Sequence, residues 1–171
     1  MAFPRSPVAP GAPAWPASVE EHVLLERARM LQRAAQSGLA QPLLRGKNLG
    51  LLCADDTLPS ALMFRHAATE LGAHVAHIGI GLSEGSPAQD VAHTARLLGR
   101  LYDAVECQGL GSGLVRQMAG ASGIPMYDGA AVNLGPLTRL ALLLGPELAL
   151  ADNRRFALQA RVRLAVFNDA G

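Results

Sequence analysis

The sequence predicts an α/β fold, a three-layer α/β/α sandwich around a central parallel sheet of about four strands. Short apolar segments alternate with longer segments whose apolar residues recur at helical spacing. Strands that are apolar on both sides are typical of a parallel sheet covered on both faces. The predicted strands are residues 49–54, 74–80, 103–107 and 124–127.

Helices are predicted between and around these strands. Ser18 and Glu21 have the spacing of a capping box, so the first helix begins near Ser18, and Gly38 ends it. Its amphipathic stripe comprises Val23, Leu24, Arg27, Leu31 and Ala34. Further helices are predicted over residues 57–71, where Gly72 ends the helix, and over residues 88–101, 114–121, 137–144 and 152–167. We expect the first and last helices to pack on the same domain as the sheet.

Composition and charge narrow the functional classes. The 171 residues carry a formal net charge of +1, so no attraction for nucleic acid is expected. No apolar run is long enough to cross a membrane, and no signal-peptide core is visible, so we expect a cytoplasmic protein without membrane contact. Cys53 and Cys107 are expected to be buried, reduced thiols. No Cys or His cluster has ligand spacing, so neither a metal nor another cofactor is predicted.

The amino-terminal segment, residues 1–17, differs from the rest of the chain. Prolines recur at every third position, which is the period of polyproline II. They are Pro4, Pro7, Pro10, Pro13 and Pro16. We expect a Pro-rich flexible arm, and the alternative is a docking arm with Trp15 as its anchor. Residues 18–171 then form a single domain.

Polar residues and glycines follow the predicted strands, at the edge where ligands bind in parallel sheets. These loops are Asp55–Asp56, and residues 80–84, 108–112 and 128–132. Gly109, Gly111 and Gly113 have the spacing G-x-G-x-G, which by itself is only weak evidence for phosphate binding. The interpretation that we favour is a flexible loop.

Several motifs resemble the carbamoyl-phosphate domain of aspartate and ornithine carbamoyltransferases, over residues 43–144. Gly-Lys at 46–47 precedes the first strand, as in that family. Residues 94–98 and 102–105, T-A-R-L-L and Y-D-A-V, are similar to the family's D-T-A-R-V-L-S-R-Y-V-D-A-I. Residues 124–129 stand where the family has V-P-V-x-N-G. The resemblance implies an α/β domain that takes part in a trimer.

The same resemblance locates the family's phosphate-binding loop, and its arginines are missing here. The family uses S-T-R-T-R at a helix N-terminus, where amide groups, the helix dipole and arginines meet the phosphate. The corresponding residues are Thr57, Leu58, Pro59, Ser60 and Ala61. Both arginine positions are lost, to Pro59 and Ala61, and Pro59 also lacks an N–H donor.

The family's other contacts to the carbamoyl group are changed as well. Its arginine–threonine pair corresponds to Gln108 and Gly109, and its His-Pro-x-Gln motif to Gly135, Pro136, Leu137 and Thr138. Residues 79–90 contain no lysine like the one that aspartate enzymes take from a neighbouring subunit. Arg65 and Arg139 lie near these motifs and are candidates to compensate. Because charged contacts to a buried phosphate are strong, we predict no carbamoyl-phosphate site and no catalytic residue.

The resemblance also implies a second, amino-acid-binding domain, and too few residues follow Leu144 to form one. Residues 152–167 resemble the family's C-terminal helix, which packs on the first domain. Its apolar spacing at Phe156, Ala160, Leu164 and Phe167 suits such packing. Our hypothesis is that the second domain is excised and that residues 145–147 bridge the cut. An independent tail helix is the alternative.

Asp55 and Asp56 stand just before the altered loop and would repel a phosphate. One of them is expected to cap the following helix in place of the ligand, and the alternative is a pair of solvated loop carboxylates. A rebuilt cleft would instead use polar groups from several loops. These groups are Ser60, Gln108, Asp128, Asn133 and Thr138.

The altered motifs favour a non-catalytic carbamoyltransferase-like subunit with a structural or regulatory role. The resemblance implies a homotrimer or a mixed assembly with another carbamoyltransferase-type chain. One alternative is a small-molecule-binding domain with a rebuilt cleft. The other is part of a carbamoyltransferase that a second chain completes.

Overall fold

The computed structural model describes residues 18–168, so the Pro-rich arm lies outside the described residues. The strands are β1 Asn48–Leu52, β2 His74–Ile78, β3 Ala104–Cys107 and β4 Met126–Asp128. The helices are α1 Val19–Gln36, α2 Pro59–Glu70, α3 Ala88–Leu101, α4 Ser112–Ser122, α5 Leu134–Leu143 and α6 Leu150–Asn168. The predicted alternation of strands and helices is confirmed. The predicted first and second strands are each two residues too long at their carboxyl ends.

The four strands form one parallel sheet in the order β2-β1-β3-β4. Helices cover both faces, which confirms the three-layer α/β/α fold. Leu49 and Leu51 of β1 face a core formed with α1, α2, α5 and α6. Leu52, Val105 and Cys107 face a second core formed with α3 and α4. This alternation of side chains along a strand explains why apolar residues occupy both sides.

The beginning of α1 is capped as predicted. The Ser18 hydroxyl accepts a hydrogen bond from the Glu21 amide at 3.1 Å, which satisfies one of the free N–H groups of the first turn. The Glu21 carboxylate contacts Arg139 Nε on α5 at 2.9 Å and so ties two helices together. The predicted stripe is partly right: Leu24 and Leu31 pack against the core, but the buried residues of α1 are Leu25, Ala28 and Gln32.

Gly72 ends α2 as predicted, with a left-handed φ of +88°. A Cβ at this position would stand 2.7 Å from Pro42 Cβ, in the loop that precedes β1. The glycine therefore serves both the helix end and the close approach of this loop.

The C-terminal helix α6 packs on α1, α2 and α5, so the prediction that both terminal helices join this domain is confirmed. Phe156 and Ala160 are buried as expected. The second half of the predicted stripe is wrong, because Val162 and Val166 are buried while Phe167 is 48% exposed.

A buried amide fixes the turn between α5 and α6. Asn153 is 1% exposed, and its Nδ2 donates to the carbonyls of Ala141 at 3.2 Å and Gly145 at 2.8 Å. Its Oδ1 accepts from Gln32 Nε2 of α1 at 2.9 Å. One side chain thus joins α1, the end of α5 and the start of α6.

Within residues 18–168, no helix is both long and apolar enough to span a membrane.

Replacing Asn153 by alanine should lower the free energy of unfolding by about 2–4 kcal/mol, because it removes the partner of the buried Gln32 amide and one hydrogen bond each from the Ala141 and Gly145 carbonyls. Urea denaturation measures this loss. The exposed Asn133 provides the control, N133A, which should change the unfolding free energy by less than about 0.5 kcal/mol. Equal effects of the two substitutions would contradict the role of Asn153.

Candidate functional site

The candidate site lies beyond the carboxyl ends of β1 and β3, where the strand order changes direction. The chain runs from β1 outward to β2 and then returns across β1 to β3 and β4. In such sheets the loops after the two strands at the reversal separate and leave a crevice. Here these loops are residues 53–58 and 108–111, with residues 129–133 beside them.

The helix N-terminus in this crevice offers few groups for a phosphate. Leu58 is the N-cap of α2 and makes no side-chain cap hydrogen bond, and Pro59 occupies the first turn. Ala61 is fully buried in the core, so its side chain does not line the crevice. Arg65 lies one turn further along, but its guanidinium donates to Asp56 Oδ2 at 2.8 Å. It is therefore held by a carboxylate of this chain.

The two aspartates before α2 do not cap it, which corrects the expectation that one of them would. Asp55 Oδ1 accepts from Thr57 N at 2.9 Å and from Thr57 Oγ1 at 2.6 Å. These bonds hold the pKa of Asp55 below its usual value. Asp56 pairs instead with Arg65, and His77 Nδ1 lies 3.7 Å from Asp56 Oδ2. Both carboxylates thus have partners other than the free N–H groups of α2, because a turn within the loop competes with the helix cap for the same oxygens.

Gln108, which the resemblance matches to the family's third-strand arginine, crosslinks two elements. Its side chain is 5% exposed. Its Oε1 accepts from Ser60 Oγ of α2 at 3.0 Å, and its Nε2 donates to Glu106 Oε1 at 3.3 Å. Ser60 and Gln108, two of the residues predicted to line this site, are therefore brought together and bonded to each other.

Glu106 is the central polar residue of the site, and the sequence reasoning missed it. Its side chain is fully buried on β3. Besides Gln108, the backbone N–H groups of Ala130 and Ala131 donate to its carboxylate at 3.1 and 3.2 Å. These hydrogen bonds lower the pKa of Glu106, but the effect of burial is larger and raises the pKa to about 7. The available signal was a single acidic residue within the otherwise apolar strand A-V-E-C.

The region of the family's His-Pro-x-Gln motif does not join this network. Gly135 and Pro136 are exposed at the start of α5. Thr138 Oγ1 accepts from Arg154 Nε of α6 at 3.0 Å. Asn133 is the exposed N-cap of α5 and makes no side-chain cap hydrogen bond.

The compensating role considered for two arginines is not supported by their contacts. Arg65 pairs with Asp56, and Arg139 pairs with Glu21 of α1. Each guanidinium therefore has a carboxylate partner from this chain.

The loop after β2 folds back onto its own subunit. The Glu84 carboxylate lies against Gly111, the N-cap of α4, and leaves no room there for a Cβ. Gly109, which follows Gln108, is exposed and has a φ of +80°. The Gly-rich loop after β3 thus meets an acidic side chain, which disfavours an anion at this helix N-terminus.

The two cysteines are buried on opposite faces of the sheet, and both remain thiols. Burial raises the pKa of Cys53, and it raises the pKa of Cys107 to about 12. Neither thiol is suited to act as a nucleophile at neutral pH. Among residues 18–168, no cluster of three or more His, Cys, Asp or Glu side chains is placed to hold a metal ion.

The titration of Glu106 should make stability depend on pH. Its pKa rises from an ordinary value of 4.5 to about 7 on folding, so the folded state binds the proton more tightly than the unfolded state. The tighter proton binding stabilises the folded state by about 3 kcal/mol in total. This stabilisation is fully present below pH 4.5 and is lost as the pH rises through 7. The unfolding free energy of the wild type, measured against that of E106Q, should fall accordingly between pH 5 and pH 8.

The matched control is E147Q, since the Glu147 side chain is exposed and water solvates it in both states. This variant should keep the wild-type pH dependence. A constant difference between wild type and E106Q from pH 5 to pH 8 would show that Glu106 does not titrate in this range.

The comparisons with known proteins agree with this geometry. No protein-family model matches the chain. The catabolic ornithine carbamoyltransferase of Mycoplasma capricolum is 35% identical over 128 residues, which are 75% of this chain and 41% of that enzyme. The chain therefore spans less than half the length of this relative.

Solved structures give the same relationship. The ornithine carbamoyltransferase of Pyrococcus furiosus superimposes with a TM-score of 0.59 at 25% identity, over 73% of this chain and 40% of that one. The catalytic subunit of M. jannaschii aspartate transcarbamoylase has a TM-score of 0.58 at 22% identity, over 73% of this chain and 41% of that one, which shows a common fold. The chain thus carries a partial domain of the aspartate/ornithine carbamoyltransferase family.

Proposed function

We propose that this chain is a non-catalytic carbamoyltransferase-like subunit with a structural or regulatory role. The observation that gives this proposal its strongest support is the hydrogen bonding of the Gln108 side chain. It stands where the resemblance implies an arginine that polarises the carbamoyl oxygen, and both ends of its amide are bonded to Ser60 and Glu106.

A carbamoyl group at this position would find no suitable donor. Gln108 is neutral, and its NH₂ group is directed to the buried Glu106 carboxylate. A substrate would have to break these bonds and leave buried polar groups unpaired, which costs about 1–3 kcal/mol for each group. A guanidinium fixed near the reacting oxygen, the kind of group that stabilises developing charge in acyl transfer, is absent from this position.

A phosphate would also be poorly held. The first turn of α2 contains no basic residue, and Pro59 removes one of its N–H donors. Asp55 and Asp56 precede it, and only Asp56 has a guanidinium partner. The local charge therefore opposes a dianion, although the helix dipole alone would favour one.

The connection between α5 and α6 supports a domain without its substrate-binding companion. The helix α5 ends at Leu143 and α6 begins at Leu150, and Asn153 binds the Gly145 carbonyl in the turn between them. We infer that residues 18–171 are a carbamoyl-phosphate-type domain in which this short turn replaces the second domain. Such a chain would act in the cytoplasm as a homotrimer or with another carbamoyltransferase-type chain.

Calorimetric titration with carbamoyl phosphate tests the loss of the substrate site. We expect no saturable heat up to millimolar concentration, and no carbamoylated product with ornithine or aspartate, because the guanidinium contacts are missing. The ornithine carbamoyltransferase of Mycoplasma capricolum is the positive control in the same assay. Saturable binding at submillimolar concentration, or turnover, would overturn the non-catalytic assignment.

Native mass spectrometry of the protein gently purified from its own host tests the assembly. We expect a homotrimer or a complex with a second carbamoyltransferase-type chain, since the resemblance implies subunit contacts through this domain. A monomer at micromolar concentration would contradict both forms of the proposal.

A further inference from the structure

A cavity of about 390 Å³ lies near the amino ends of the strands, at the end of the sheet opposite the candidate site. It lies between the end of α1, the loop before β1, the end of α2 and the middle of α6. Its volume falls within the range of about 300–1,000 Å³ that is typical of small-molecule sites. Because α2 and the loop before β1 meet at the amino ends of the strands, the cavity is separated from the family's substrate crevice by the length of the sheet.

The walls of the cavity are mainly apolar. They include Met30, Leu31, Leu39, Leu43, Leu71 and Phe156. Leu71 and Phe156 are buried at its floor, whereas Met30 and Leu39 are 61% and 70% exposed near its mouth. An apolar group that enters the cavity would cover these side chains and gain from their removal from water.

Two charged residues are found among the described residues that line this cavity, Glu70 and Arg163. The Glu70 carboxylate is already balanced, since it lies 2.9 Å from Arg155 Nε and from His66 Nε2, and it accepts from Gln159 Nε2 at 2.8 Å. Glu70 is therefore part of a complete network and requires no ligand.

Arg163 has no counter-ion among the residues that the structure describes. No carboxylate within residues 18–168 lies within 4.0 Å of its guanidinium, and its Nε is buried without a hydrogen-bond acceptor there. Its Cζ stands 5.9 Å from the ring centroid of Phe167, which restrains the guanidinium but does not neutralise it. Guanidinium groups bind carboxylates through paired N–H donors, which makes Arg163 a ready partner for one.

We propose that this cavity binds a small amphipathic carboxylate, with its apolar tail against Leu71 and Phe156 and its carboxylate on Arg163. A single negative charge fits one guanidinium. The more highly charged phosphate group would meet the neighbouring Glu70 with no second free cation among the described lining residues. This inference concerns a site distinct from the substrate crevice and does not rest on the proposed function.

Calorimetry and methyl NMR with octanoate test the proposal on the full chain. Octanoate should bind saturably and shift the Met30 methyl signal, because Met30 stands at the mouth of the cavity. Octanol, which has the same tail without the charge, should bind at least tenfold more weakly. No saturable octanoate binding, or binding that leaves the Met30 signal unmoved, would overturn the assignment.

Substitutions identify the group that recognises the carboxylate. R163Q should weaken octanoate at least tenfold and leave octanol within twofold of its wild-type affinity. R163K keeps the charge without the planar pair of donors and should be intermediate, which also covers the case in which R163Q fails to fold. R33Q removes the same charge from an exposed position of α1 and should keep wild-type affinity. Equal octanoate affinities for wild type, R163Q and R163K would contradict the role of Arg163.

Discussion

Glu106 places a carboxylate where water does not reach it, so its oxygens depend on donors from the protein. Those donors come from two places, the backbone of the loop after β4 and the Gln108 side chain. Gln108 in turn accepts from Ser60 at the start of α2. The positions of three loops therefore follow from one requirement, which is that the buried Glu106 carboxylate keeps its hydrogen-bond donors. Leaving a buried polar group without partners costs more free energy than the loops would gain from greater flexibility.

The residues that build the scaffold are separate from those at the carboxyl edge of the sheet. The cores on both faces depend on apolar side chains such as Leu49, Phe64 and Val105. The connection of α1, α5 and α6 depends on Asn153. In the part of the chain that the structure describes, none of these groups forms a hydrogen bond or ion pair with Gln108 or Asp55. This separation explains how the fold can be kept while the residues of the loops after the strands vary.

The order and type of the elements could be predicted from the sequence because apolar periodicity is a local property. The Ser18 cap and the Gly72 helix end were predictable for the same reason. The contacts of Asp55 were not, since the turn with Thr57 and the helix cap use the same oxygens and the sequence does not decide between them. The sequence marks Glu106 only as a single acidic residue in an apolar strand, because its backbone donors, Ala130 and Ala131, lie more than 20 residues away along the chain.

The two edges of the sheet differ in how their charges are compensated. At the carboxyl edge, Asp56 has a guanidinium partner, Glu106 has backbone N–H donors, and Asp55 is held by hydrogen bonds from Thr57. At the amino edge, Glu70 is matched but Arg163 is not, among the residues that the structure describes. Partial burial removes some of the hydration of the Arg163 guanidinium, and no carboxylate among the described residues replaces it. A monoanionic ligand would supply the missing partner there, whereas the carboxylate of Asp55, which has no guanidinium partner among the described residues, would repel an anion at the carboxyl edge.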